Sequence, residues 1–313
     1  MRIFDLMFAS LVLSINSISN SKTQEQYIPD EDQLLDYLDA ECSIRSSGRP
    51  VANASEPMVV EMKMIPYSFR GLIDRQQHFS IIAEIDLFWK HPCVRWGHNE
   101  ATKHWRSIVR LQDWADRYWR PGIPHDNAVF DQNILNNMAK NSPILIYPDG
   151  TIAWQVVTIL DSICQMEFVF ILFCSSSEFA FFFVCNFSFE KFPFDSQECN
   201  VYFESFLNDN ILNIKLRDSG IELTGTMDEF ISLNEIWQLV NYSAQVDDVF
   251  YETWNGTFDV ISFRFQLDRK YQLYTLTIFL PCICLTLLQL AAGIMPPKYP
   301  DRAAYNITGI KIQ

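Results

Sequence analysis

From Leu273 to Met295 the chain runs for 23 residues without a charge, bracketed by Arg269-Lys270 and Lys298. A helix of about 20 apolar residues crosses the hydrocarbon of a bilayer. Lipid offers the backbone no hydrogen-bond partners, so a single crossing segment must be helical. Pro281 sits mid-span, which membrane helices tolerate when neighbours compensate the lost bond. A buried helix of a soluble domain is the competing reading. It fits poorly, because globular helices are rarely apolar all round over this length. The run therefore predicts a transmembrane helix over residues 271–295.

The residues before it follow a different period. Ala83, Ile85, Leu87 and Trp89 alternate with Glu84, Asp86 and Phe88. Ile261, Phe263, Phe265 and Leu267 alternate with Ser262, Arg264, Gln266 and Asp268. A period of two marks strands with one buried face. Turn signals, Pro148-Asp149-Gly150 and Asn255-Gly256, stand between such runs. Pro29 to Leu38 carries proline and acids in its first turn and then leucines at helical spacing, so a short N-terminal helix is predicted. The fold class expected is mainly β: an immunoglobulin-like β-sandwich over residues 22–269 with a short N-terminal helix, followed by one transmembrane helix.

Residues 1–21 have the form of a secretory signal: Arg2, an apolar stretch from Leu6 to Ile18, then small polar residues. A membrane anchor is the rival reading, but the stretch is short and broken by serine and asparagine. Export puts the cysteines in an oxidising compartment, where pairing is the rule. The formal net charge of −14 argues against nucleic acid as a partner. Among the Asn-X-Ser/Thr sequons, Asn53, Asn241 and Asn255 are the expected glycosylation sites.

Cys185 and Cys199 enclose thirteen residues, among them Phe192-Pro193-Phe194-Asp195. This segment resembles the signature loop of the Cys-loop receptors, the pentameric neurotransmitter-gated ion channels; a secreted hairpin with one disulfide is the plainer alternative. Three more stretches resemble the same family. Trp89-Lys-His-Pro-Cys-Val-Arg-Trp96 resembles its WxDxRLxW strand, with His91 and Cys93 in place of the Asp and Arg, which puts that internal ion pair in doubt. Trp119, Pro121 and Asn127 match its WxPDxxxxN segment, with Gly122 in place of Asp. Tyr147 to Trp154 resembles its SDGxxxW strand-turn-strand. Together they cover about residues 30–313.

The resemblance implies a disulfide at Cys199. Its partner is Cys185 by the local spacing, or Cys164 by the family's distance from Trp154. The second is favoured, because deleting the 21 residues from Phe168 to Ser188 restores a spacing of thirteen. That segment has eight phenylalanines and one charge. A translated intron, a true insertion and a spanning segment are the readings open for it, in that order. The resemblance further implies a gating loop at Phe192, Pro193, Phe194 and Asp195. It implies an aromatic ligand site from Phe206, Phe250, Tyr251, Trp254 and Phe258, with Trp89 contributing from the opposite subunit face. Ring faces attract amine cations. No adjacent Cys-Cys pair stands in the hairpin, so the agonist stays open.

Residues 296–313 resemble the start of a pore-lining second helix. Asp301-Arg302 there leans towards cation selectivity, as a ring of acids attracts cations. The function expected is a neurotransmitter-gated channel subunit binding a small amine-like transmitter. A non-conducting, membrane-anchored binding or assembly subunit is the alternative. The partners expected are a small-molecule neurotransmitter, homologous subunits in a pentamer and the membrane. The location expected is the plasma membrane, in a postsynaptic setting, with the N-terminal domain outside. No nucleotide-binding, hydrolase or metal-binding motif appears, so no enzyme activity, cofactor or metal is expected.

Overall fold

The computed structural model describes residues 29–113, 117–138, 142–165, 193–231, 234 and 236–294. The proposed signal segment, the Phe-rich stretch 168–188, Cys185, Phe192 and the tail with Asp301 and Arg302 lie outside the described residues.

The chain opens with α1 (Pro29–Cys42). Its Leu34 and Leu38, one turn apart, are fully buried and dock the helix on the sandwich. Nine strands follow among the described residues: β1 (Met58–Ile73), β2 (His78–Lys90), β3 (Leu111–Asp113), β4 (Ile144–Ile146), β5 (Thr151–Ile163), β6 (Ser196–Glu204), β7 (Leu212–Ile221), β8 (Trp237–Tyr251) and β9 (Gly256–Arg269). Short helices α2 (Ile134–Met138) and α3 (Met227–Phe230) interrupt them. One sheet has the order β3-β4-β5-β2-β1-β7 and the other β6-β9-β8. All neighbours are antiparallel except β1 and β7. Pro66 falls at a register shift of β1, where a residue without an N–H costs the ladder least.

The alternation read in the sequence holds. Ala83, Ile85, Leu87 and Trp89 of β2 face inward, as do Ile261, Phe263, Phe265 and Leu267 of β9. The inner faces meet through aromatic rings. Phe79 of β2 lies 5.3 Å from Phe265 of β9, and Phe230 of α3 stacks on Phe265. Each side chain of this size contributes about 1.5–3 kcal/mol by leaving water.

Polar groups join the two sheets where rings do not. The Asn127 amide donates to the Ile163 carbonyl (3.0 Å) and the Asn200 carbonyl (2.8 Å), and its oxygen accepts from the Tyr202 N–H (3.0 Å). One side chain thus ties β5 to β6. His125 beside it is buried, stacks on Phe203 and shares a 2.9 Å hydrogen bond with Ser162 Oγ. Burial pushes its pKa down to about 4, so it is a neutral core group.

Among the described residues two disulfides staple the sandwich. Cys164, just past β5, pairs with Cys199 in β6, which settles the partner of Cys199 in favour of the longer loop; Cys185 is not its partner. A sequence separation of 35 corresponds to about 4 kcal/mol in the chain-entropy account. The second bridge, Cys42–Cys93, joins the end of α1 to the segment after β2. The sequence carries no signal for this bridge beyond Cys93 standing in the place of an arginine. His91 has also changed role. Its Nδ1 accepts from the N–H groups of Val94 (3.3 Å) and Cys93 (3.4 Å), and burial lowers its pKa, so it acts as a neutral cap of the turn. Gly150 of the Pro148-Asp149-Gly150 turn has φ +86°, and a Cβ there would lie 2.7 Å from the His91 carbonyl.

After β9 the chain passes directly into α4 (Tyr271–Tyr274), a π-helical turn (Thr275–Phe279) and α5 (Leu280–Ile294). The π turn lies immediately before Pro281, whose ring and missing N–H displace the regular ladder. Residues 271–288 have a mean hydropathy of 1.7 and none is buried, so the length and composition suit a membrane crossing.

Replacing Cys164 with Ser is expected to lower the stability of the sandwich by about 2–5 kcal/mol. Chemical denaturation of the detergent-solubilised chain measures it. Non-reduced peptide mapping of the parent should recover one peptide joining Cys164 to Cys199.

Candidate functional site

Two regions carry the features of interest. The first is the junction between sandwich and apolar helix. Arg269, the last residue of β9, is 4 % exposed. Its Nε donates to Asp195 Oδ1 (2.7 Å) and its Nη2 to Asp195 Oδ2 (3.0 Å), a two-pronged charged pair. Nη2 also reaches Asp74 Oδ2 (2.9 Å), in the turn between β1 and β2, and Nη1 donates to the Tyr274 hydroxyl (3.4 Å) in α4. The guanidinium stands over the Trp237 ring at 4.1 Å. Four separate segments thus converge on one cation.

The electrostatics follow from this enclosure. Burial alone would raise the Asp195 carboxyl. Hydrogen bonds from Arg269 and Gln197 outweigh it and hold the group below the usual carboxylate range. Burial alone would lower Arg269, and Asp195, Tyr274 and Asp74 reverse it. The neighbouring loop residue, Phe194, is 62 % exposed, and its ring lies 5.1 Å from Tyr271, the first residue of α4. Of the expected gating residues, Phe194 lies against the start of the apolar helix, and Asp195 pairs with Arg269, two residues before it. Asp74, Arg269, Trp237 and Tyr274 were not read from the sequence. Arg269 had figured only as a flank of the apolar run.

The second region is the β8–β9 hairpin. Asn255, at φ +45°, completes the turn with Glu252 to Trp254, as the Asn-Gly pair predicts. Tyr251 pairs with Gly256, Phe250 with Thr257 and Val249 with Phe258. Period-two geometry puts Tyr251 and Phe258 on one face, with their rings edge to face at 5.5 Å, and Phe250 on the other. The expected aromatic set is thus divided between two faces. The Tyr251 hydroxyl donates to Glu204 Oε2 (3.2 Å) at the end of β6, two residues before Phe206. Phe206 is 61 % exposed and lies against Gly122, where a Cβ would sit 3.5 Å from its ring. Trp254 at the tip is 75 % exposed. Burial raises Glu204, which the Tyr251 bond partly offsets, and burial also raises Tyr251. Glu204 places a carboxylate among exposed rings and was missed, because it reads as an ordinary strand-end acid.

Trp89 requires a correction. It is 2 % exposed and meets Trp119 edge to face at 5.9 Å inside the core. Strand alternation turns it inward, so it does not offer a ring to a neighbouring subunit. Asn53, Asn241 and Asn255 are all exposed, as glycan attachment requires. Among the described residues no group of three or more His, Cys, Asp or Glu is placed to hold a metal ion.

The family model described as the neurotransmitter-gated ion-channel ligand binding domain matches residues 31–170 and 175–271. The chain belongs to this family. It is similar to the acetylcholine receptor subunit alpha-type acr-16 of Caenorhabditis elegans, at 23 % identity over 98 % of the chain and 53 % of the relative. It is also similar to the mouse neuronal acetylcholine receptor subunit alpha-6, at 25 % identity over 83 % of the chain and 46 % of the relative. The goldfish neuronal subunit alpha-3 is 24 % identical over 83 % of the chain and 44 % of the relative. The chain thus spans about half the length of these curated relatives. In this ligand-binding domain, Phe194, Asp195 and the junction at Arg269 lie at the end that meets the apolar helix.

Asp195→Asn is expected to destabilise the domain by about 3 kcal/mol at neutral pH, as a buried charge loses its best partner. The native Asp195 pKa is depressed, so its contribution is complete above the ordinary carboxylate range. It is lost as pH falls through the lowered native value. Denaturation curves of parent and variant should therefore converge on acidification; a gap that persists undiminished in strong acid would contradict this assignment.

Proposed function

We propose that the chain is a subunit of a neurotransmitter-gated ion channel of the acetylcholine receptor type. The observation that carries this reading is the convergence on Arg269. The Cys-loop carboxylate Asp195, the β1–β2 turn at Asp74 and the first turn of the apolar helix at Tyr274 share one guanidinium. Displacement of the loops at Asp74 and Asp195 is then passed to the guanidinium through short charged bonds and from it to the helix through the 3.4 Å bond to the Tyr274 hydroxyl, rather than through a flexible linker. Phe194 against Tyr271 adds a second, apolar contact along the same line.

On this reading the ligand is a small amine-like cation, bound where the β8–β9 hairpin meets a neighbouring subunit. Tyr251, Trp254 and Phe258 present ring faces, Phe206 lies beyond them, and Glu204 supplies negative charge; each ring–cation contact is worth about 0.5–2 kcal/mol. Phe250 faces the other way and is assigned no ligand contact. Homologous subunits complete a pentamer, the apolar helix crosses the plasma membrane with the sandwich outside, and Asp301 gives a cationic lean. The relatives, named as acetylcholine receptor subunits, support this ligand class.

The test joins residues 1–294 to the remaining spans of an acetylcholine receptor subunit and records currents under voltage clamp. Acetylcholine and other amine transmitters are expected to gate the chimera. Tyr251→Ala and Trp254→Ala should each raise the half-maximal agonist concentration by roughly 2- to 30-fold at unchanged surface expression, the equivalent of 0.5–2 kcal/mol. Unchanged dose-response curves for both variants would remove the hairpin from the site. A chimera at the surface that answers none of the transmitters would overturn the ligand class.

A further inference from the structure

The two disulfides lie in opposite environments. Cys164 and Cys199 are 1 % and 0 % exposed, sealed in the core. Cys93 is exposed and Cys42 half-buried. The outer bridge links two elements that are otherwise held independently. On one side, α1 is fixed by the burial of Leu34 and Leu38, by the Tyr37 ring at 5.3 Å from Trp105 and by Asp39 at 3.6 Å from Arg117. On the other, the segment after β2 is fixed by the Val94 N–H on His91, by the His91 N–H on the Gly150 carbonyl (2.8 Å) and by Trp96 Nε1 on the Ile108 carbonyl (3.0 Å). None of these contacts requires the sulfur–sulfur bond. Opening it would loosen the last turn of α1 against the loop and leave the core standing.

We infer that Cys42–Cys93 is an exchangeable latch, the site at which small extracellular thiols act on this chain. Exchange requires a thiolate to approach a disulfide sulfur along the bond, so the reachable sulfur is the one attacked. Cys93 is the exposed residue of the pair, so the attack is assigned to its Sγ. The incoming thiolate forms a bond to Cys93 Sγ, and the Cys42–Cys93 bond breaks. The electron pair leaves on Cys42 Sγ, which takes a proton from water. The product is a mixed disulfide on Cys93 and a free thiol at Cys42. A second thiol attacking the mixed disulfide releases Cys93 as a thiol and leaves with the first as their own disulfide. The Cys164–Cys199 bridge is shielded from the same reaction by burial, so the gating loop stays closed while the latch opens.

The experiment treats the intact, detergent-solubilised chain with graded dithiothreitol, blocks thiols with N-ethylmaleimide and maps the peptides. Cys282 and Cys284, already free thiols, serve as labelled references. Cys42 and Cys93 should be labelled at a reductant concentration at least about tenfold below that needed for Cys164 and Cys199. With glutathione as the probe, the adduct should sit on Cys93. Hydrogen exchange should quicken at residues 39–44 and 91–97 and stay unchanged at 193–204. The double variant Cys42→Ser, Cys93→Ser should reproduce that exchange pattern without reductant. Simultaneous opening of both bridges, or earlier opening of Cys164–Cys199, would overturn the selectivity. An adduct on Cys42 would overturn the direction of attack, and unchanged exchange at 39–44 and 91–97 would overturn the latch.

Discussion

A buried guanidinium is costly to remove from water, and Arg269 is tolerable only because its surroundings answer it on every side. Asp195 takes two of its N–H groups, Asp74 a third contact, Tyr274 another, and Trp237 covers one face. Each partner comes from a different part of the chain. The arrangement therefore fixes the residue leading into β6, the β1–β2 turn and the start of the helix relative to one another. The strength of the ensemble rests on completeness: a buried pair is worth little against well-packed apolar side chains, but removing one partner strands the other charge.

The same economy recurs across the sandwich. Where rings fill the space between sheets, as at Phe79, Phe230 and Phe265, no polar bond is needed. Where the sheets meet near β5 and β6, Asn127 satisfies three backbone groups, and the neutral His125 fills the adjoining space. The Cys164–Cys199 bridge closes that edge covalently. On the proposed function, rigidity at this end of the sandwich is the physical condition for passing displacement to the helix, because bonds between soft elements would absorb it. The aromatic hairpin lies at the opposite extreme. Its tip residue Trp254 is exposed and makes no claim on the core.

The departures from the family's motifs are coherent once the side chains are placed. Cys93, standing for an arginine, forms a disulfide with α1, and His91, standing for an acid, still accepts backbone N–H groups as a neutral ring. Gly122, standing for another acid, leaves room beside Phe206. Local electrostatics have been exchanged for a covalent bond and for close packing, while the backbone course is retained.

Much of the architecture was written locally. The uncharged run from Leu273 specified a helix, which extends to Ile294, because an apolar segment long enough to cross a bilayer has no other backbone open to it there. The period-two stretches specified which faces of β2 and β9 are buried, because pleating alternates side chains whatever the partner strand. Asn255-Gly256 and Pro148-Asp149-Gly150 specified turns, because few residues adopt positive φ cheaply. What only the tertiary structure decided are the meetings of residues far apart in the chain. The Cys42–Cys93 bridge, the burial of Trp89 against Trp119, the Glu204–Tyr251 bond and the convergence on Arg269 leave no periodic trace in sequence. Trp89 shows the limit most clearly. Its residue type suits a ligand site and a core equally, and only strand direction and the neighbour across the sheet turned it inward.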